Sequence, residues 1–296
     1  MFSSLLNFLK YISKRPLYMT GFIIVINFLI IGAVAPYILT KPEDAWGISY
    51  DLNKAFLPPS LEHPFGTDAF GRDMLNRVIL GARYSLIIAV GVVSLSFLIG
   101  VLVGVTAGFL GGAFGTALMR ITDMFLAFPP LLLAIALAAT LGRGVMTTII
   151  ALAISWWPWY ARLLYVSVNS VKTAPYIEAA KVVGVGRISI IFRYILPNSL
   201  VPAITQATLD LGSAVLEAAS LSFLGVGVPP PIPEWGRLIS EGWVHITKAY
   251  WISFYPGLLL LITVVGFNLL GDGVKEYMNP RLRDLAVRGV RRSRGY

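Results

Sequence analysis

The sequence predicts an all-α polytopic membrane protein with six transmembrane helices. Two observations carry that expectation. Of 296 residues, 56% are hydrophobic and 13% are charged, against about 25% charged in a soluble domain. Several apolar runs reach about 20 residues, the length that crosses a bilayer core. A buried soluble core is the alternative, and it fails because surplus apolar surface on this scale would aggregate in water.

Residues 1–17 read as an amphipathic start with Lys10, Lys14 and Arg15 on the cytoplasmic side. The first span is expected over 18–39; it is too long, and lacks the small-residue site, for a cleaved signal peptide. Residues 40–80, punctuated by Pro42, Pro58, Pro59, Pro64, Gly66 and Gly71, hold more acids than bases and read as extracytoplasmic. The second span is expected over 84–109, where Gly91, Gly100, Gly104 and Gly108 permit close helix approach. A turn at Gly111-Gly112 leads to a third span over 116–141, kinked at Pro129-Pro130. After the turn Gly142-Arg143-Gly144, the fourth span covers 146–165 and is interrupted by Pro158. The fifth and sixth spans are expected over 200–224 and 251–270, with an outer loop over 228–250 between them.

The segment 166–196 is a polar island that cannot face lipid. It carries Lys172, Lys181, Arg187 and Arg193 against Glu178 alone, which places it in the cytoplasm with both termini. Thr173 and Pro175 are helix-start signals, Glu178 suits the first turn, and Gly184 ends or bends the helix. Ala179 and Ala180 give it a low-profile face suited to a groove on a partner.

With Leu196-Pro197 downstream of Glu178-Ala179-Ala180 and Gly184, the chain resembles the permease subunits of ATP-binding cassette importers. Further stretches narrow the likeness to the C-type permease of the dipeptide, oligopeptide and nickel class. They include His63 to Asp68, Gly71-Arg72-Asp73, Gly81 to Leu86, Met119-Arg120 with Asp123, and Glu217-Ala218 with Leu221 to Gly225. Pro230-Pro231 with Glu234-Trp235-Gly236, Phe254 to Gly257, Asn268 to Gly273 and Asn279 to Arg283 complete it. Tyr194 departs from the pattern, standing where a histidine is expected. The resemblance implies the type I importer (MetI-like) permease fold, with a core over 81–275, a coupling helix over 174–186 and a basic tail over 276–296. It also implies a second homologous permease as heterodimer partner, two ATPases that bind ATP and Mg, and an extracytoplasmic substrate-binding protein. Glu178, Ala179, Ala180, Gly184, Val185, Gly186, Leu196 and Pro197 would couple to the ATPases. Pro230, Pro231, Glu234, Trp235 and Gly236 would face the binding protein.

This chain is expected to have no cofactor and no catalytic residue of its own. It lacks the Gly-x-x-x-x-Gly-Lys-Ser/Thr phosphate loop, and cysteine is absent. Asp210 and Glu217, seven residues apart on one face of the fifth span, read as pathway lining or structural pairing; a proton relay is the sharper reading. Arg120 and Asp123, three apart, are spaced so that a local ion pair is allowed, and they read as structural near the cytoplasmic gate. His63 and His245 read as separate outer-loop residues without metal spacing, and Trp235 and Trp243 as interfacial anchors. A basic tail with Arg281, Arg283, Arg288, Arg291, Arg292 and Arg294 also fits nucleic acid, but topology explains it better.

Two other classes compete. A self-sufficient secondary transporter would show an inverted repeat with broken helices in matching positions, and none is evident. An intramembrane enzyme would need a paired nucleophile and base on its spans. Within the resemblance, peptides are the expected cargo and oligosaccharides the alternative. The missing cysteine and the single glutamine, Gln206, match the depletion of thermolabile residues in thermophiles.

Overall fold

The computed structural model describes residues 2–278. The arginines of the tail and the stretch 279–283 lie outside the described residues. Among the described residues twelve α-helices follow one another: α1 (Phe2–Ile12), α2 (Pro16–Ile38), α3 (Pro42–Ala45), α4 (Met74–Leu110), α5 (Gly112–Leu126), α6 (Pro130–Leu141), α7 (Val145–Lys172), α8 (Pro175–Val182), α9 (Arg187–Ile190), α10 (Leu196–Phe223), α11 (Trp235–Trp243) and α12 (Trp251–Met278). Five stretches are long and apolar enough to cross a membrane: α2, α4, α7, the run Arg187–Phe223 and α12.

The number of crossings follows from how α4 and α7 pack. Along α4, Gly91 meets Ile149, Gly100 meets Tyr160, Gly104 meets Ala161 and Leu164, and Gly108 meets Val168. Both sets of numbers rise together, so the two helices run parallel. The ends of α4 and α7 coincide: Lys172 Nζ donates to the carbonyls of Gly108 at 3.2 Å and Phe109 at 2.8 Å. The chain between them must therefore return to the opposite end, and only α5 and α6 do so. They are bent by 86° at their break, and the pair counts as one broken crossing, the sixth. Elsewhere neighbours alternate in direction. Gly21 meets Leu269 while Gly266 meets Ile24, so α2 and α12 are antiparallel; Gly212 against Phe267 and Gly271 against Leu209 make α10 and α12 antiparallel.

One end of the bundle thus carries the segment 39–73, the turn 142–144 and α11. Gly144 N–H donates to the Gly227 carbonyl there. The other end carries α1, α8, α9 and the last turn of α12, where Arg15 pairs with Glu276 at 2.6 Å and Tyr18 donates to the same carboxylate.

Three expectations change, and one feature is new. The second span begins ten residues early, because the Asp73 carboxylate accepts the Asn76 N–H and caps α4 at Met74. At 37 residues α4 is about 55 Å long, so its first turns project beyond a hydrocarbon core. The expected kink at Pro129-Pro130 is a full break: Pro129 denies Phe128 the helical conformation, and Pro130 opens α6. The expected interruption at Pro158 is absent; α7 runs through it to Lys172, as neighbouring helices allow in a bundle. Before α10 the chain widens into a π-helical turn over Ile191–Ile195. The ring of Pro197 would clash with the carbonyl four residues back in a regular helix, and the wider turn relieves it.

Gly104 has no room for a side chain: a Cβ there lies 2.4 Å from the Ala161 carbonyl oxygen and 2.9 Å from Leu164 Cβ. Gly104→Leu should cost about 1–3 kcal/mol by overpacking, seen as a lower melting temperature of the detergent-purified protein. Unchanged melting would contradict the α4–α7 packing.

Candidate functional site

At the α8 end, Pro175 opens α8 where its missing N–H costs nothing. Thr173 is not its cap. The Thr173 hydroxyl turns back to the carbonyls of Asn169 and Ser170 at the end of α7, and Ala174 stands at the capping position without a side-chain bond. The helix closes in a Schellman turn: Val185 N–H donates to the Ala180 carbonyl, Gly184 N–H to Lys181, with Gly184 at φ +80°. Ile177 buries against Val168, Ile190 and Ile195, and Ala180 on the same face is buried too. The opposite face leaves Glu178, Ala179, Lys181 and Gly186 exposed. Around it Tyr176, Val182, Val183, Ile188 and Phe192 are also exposed, the last four by 63% or more. An apolar patch of this kind beside a charged helix marks an interaction surface. Of the downstream pair, Leu196 is half-buried and Pro197 exposed at the start of α10.

At the other end, buried charges bind three segments together. The Asp68 carboxylate accepts from Arg72 Nε at 2.6 Å and Arg77 Nη1 at 2.7 Å. The same Arg77 nitrogen reaches Glu241 on α11 at 2.8 Å, and Arg237 holds the other Glu241 oxygen at 3.1 Å. Arg77 is fully buried. His63 Nδ1 sits 2.8 Å from Asp73, whose cap on Asn76 lets the Asn76 amide accept the N–H groups of Thr40 and Lys41. Burial works against ionised Asp73. The Asn76 side chain and backbone, His63 and the Lys41 charge outweigh it and hold the carboxyl below its ordinary range. His63 stands in the outer segment as expected, but its side chain is buried.

The loop expected to present Pro230 to Gly236 divides. Pro230 and Pro231 are exposed, whereas Glu234, Trp235 and Gly236 are buried. Glu234 caps α11 at the Arg237 N–H and accepts from Ser85; burial pushes its carboxyl up despite those bonds and that of the Gly236 backbone. Trp235 donates to the Val78 carbonyl at 2.9 Å and is a core residue, not an interfacial anchor. Trp243 is 60% exposed.

Within the spans, Asp210 and Glu217 line a recess of about 300 Å³ with Trp156, Trp159, Tyr160 and Gln206. Tyr160 donates to Asp210 at 2.5 Å, Gln206 to its other oxygen at 2.8 Å, and Trp156 to Glu217 at 2.9 Å. Arg120 and Asp123 do not pair. Asp123 instead meets Arg162 across on α7, while Arg120 is exposed; the i, i+3 spacing puts Arg120 within reach, but the guanidinium of the neighbouring helix takes the carboxylate. Tyr160, Trp156, Arg162 and Arg77 were not singled out in the sequence. The aromatic run Trp156 to Tyr160 in an otherwise aliphatic span was the available signal. Among the described residues no group of His, Asp and Glu is arranged to hold a metal.

Residues 100–284 match the family described as "Binding-protein-dependent transport system inner membrane component". The chain belongs to this family. Members with related sequences include a dipeptide transport system permease protein of Alkalihalophilus pseudofirmus, 40% identical over 93% of this chain and 89% of that one. A probable D,D-dipeptide permease of Escherichia coli is 40% identical over 90% of this chain and 88% of its own. A glutathione permease of Escherichia coli is 37% identical over 94% of this chain and 90% of its own. Among solved structures, an inward-facing MetNI methionine ABC transporter chain shares the fold, with TM-score 0.57 at 21% identity over 70% of this chain and 98% of that one. As an inner membrane component with six crossings, this family member is a multi-pass membrane protein.

Two outcomes test the charge network of this permease-family chain. Arg77→Met strips a buried partner from Asp68 and Glu241 and should cost about 3 kcal/mol, measured as lost thermal stability. Asp73 is held below its ordinary range, so its contribution is complete above about pH 4 and is lost as pH falls through the lowered value. Asp73→Asn should flatten that acid limb in a melting-temperature profile from pH 3 to 7; an unchanged limb would assign it to other groups.

Proposed function

We propose that this chain is one of two homologous permeases forming the pathway of an ATP-driven peptide importer. The observation that carries the reading is identity of about 40% over nine-tenths of the chain with relatives named as dipeptide permeases. ATP and Mg bind to two separate ATPase subunits, and an external binding protein delivers the solute. The α8 end faces the cytosol, as its basic excess of Lys172, Lys181, Arg187 and Arg193 over Glu178 favours. Both termini lie on that side. The exposed Pro230 and Pro231 then face the binding protein, with Glu234, Trp235 and Gly236 holding the loop from beneath.

The mechanism runs through α8. Its exposed apolar rim seats in an ATPase groove, with Glu178, Ala179 and Gly184 to Gly186 at the contact and Leu196-Pro197 behind it. Closure of the ATPases on ATP displaces α8, and the parallel α4–α7 pair moves with it as a rigid body to reopen the pathway on the other side.

Gly184 stands in open space, so a side chain there meets no neighbour. It costs only the left-handed backbone conformation, about 1–2 kcal/mol. Gly184→Val and Glu178→Lys should leave the chain inserted and assembled. In proteoliposomes holding all subunits, peptide uptake should fall about tenfold or more while ATP hydrolysis persists. Normal uptake by both variants would remove the coupling role of α8.

A further inference from the structure

The recess between α7 and α10 has a feature that structural pairing does not account for. Its ten lining residues include two carboxylates, Asp210 and Glu217, and no lysine, arginine or histidine. Charge inside a span is costly and needs a partner. Tyr160 and Gln206 bond both oxygens of Asp210, and Trp156 bonds only Oε2 of Glu217. Hydrogen bonds from neutral donors orient these carboxylates without cancelling their charge. The nearest guanidinium in sequence, Arg162, is spent on Asp123.

Three of the other eight lining residues are aromatic, beside Ser155, Ser213, Gln206, Leu126 and Pro130. Trp156, Trp159 and Tyr160 line the recess, and Trp159 is 57% exposed, its indole N–H without a hydrogen bond among the described residues. Aromatic faces attract a desolvated cation, most strongly tryptophan. Leu126 and Pro130, on either side of the α5–α6 break, form the rim. Non-helical backbone at membrane depth belongs beside protein or a water-filled cavity. An open recess, an aromatic wall and uncompensated carboxylates together make a site for a primary ammonium group.

We infer that this recess binds the free α-ammonium of a peptide in transit, with Glu217 as its counter-ion, Asp210 as a second charge and Trp156 and Trp159 as the aromatic wall. The inference rests on the permease reading and names the end of the solute that the pathway grips. It requires no covalent step. The competing occupant is a basic side chain of the second permease.

The test uses the assembled complex of two permeases and two ATPases in lipid nanodiscs, without binding protein. Trialanine and N-acetyl-trialanine are titrated calorimetrically up to millimolar concentration. The wild-type complex should bind trialanine and discriminate against the acetylated peptide. Asp210→Asn with Glu217→Gln should weaken trialanine binding about tenfold or more, the scale of a lost charge-assisted contact, with every subunit retained. Glu217→Gln alone, which still accepts from Trp156, should lower the same affinity if the double variant fails to assemble. Equal binding of both peptides, no binding of trialanine, or unchanged affinity in the variants would overturn the inference. Loss of the second permease from the Glu217→Gln complex would overturn it in favour of a subunit contact. ATP-driven uptake by the wild-type complex with its binding protein is measured separately. Uptake without ammonium discrimination in the recess leaves the permease reading standing and removes this one.

Discussion

Close parallel contact between α4 and α7 is the constraint on which the rest depends. Without a hydrophobic drive between helices in lipid, association comes from backbone approach and dispersion. Glycines along α4 supply that approach against Tyr160, Ala161, Leu164 and Val168. Parallel alignment forces the intervening chain to cross back, so the broken α5–α6 pair is a topological necessity. It also puts Trp156 and Tyr160 on the flank of α7 that α10 covers, and it leaves α8 hanging from the shared end of both long helices.

Charge is handled in opposite ways at the two depths. Outside the spans, Asp68, Arg72, Arg77, Arg237 and Glu241 form an alternating chain in which every carboxylate has a guanidinium partner. That chain stitches the segment 39–73, α4 and α11 into one cap. Inside the spans, Asp210 and Glu217 have only neutral donors. The first arrangement fixes geometry; the second keeps a charge available.

The helices and their order were legible because apolar runs and Gly/Pro punctuation are local signals. The spacing of Gly91, Gly100, Gly104 and Gly108 pointed to close helix approach, and the glycine-rich α4 does use it against α7. Helix ends were less legible. The start of α4 depends on a cap from Asp73, itself held by His63 and Asn76, and the π-helical turn before α10 depends on a ring clash at Pro197. Side-chain partners at long range were the least legible. Nothing in the local pattern separates an Asp123 that pairs with Arg120 from one that pairs with Arg162. Likewise a tryptophan in a loop reads as an interface residue until α4 is seen to offer Trp235 the Val78 carbonyl.

The lysine at the end of α7 has a mechanical meaning. By donating to the last carbonyls of α4 from a neighbouring helix, Lys172 ties two long helices together beside α8, where the proposed coupling role would apply load. On the far side of α8 the chain joins α10 through a wider, less tightly wound turn, Ile191–Ile195. On the proposed coupling role, α8 is thus tied on one side to two cross-linked helices and on the other to a single wider turn, so a push on it would reach α7 and α10 by unlike routes.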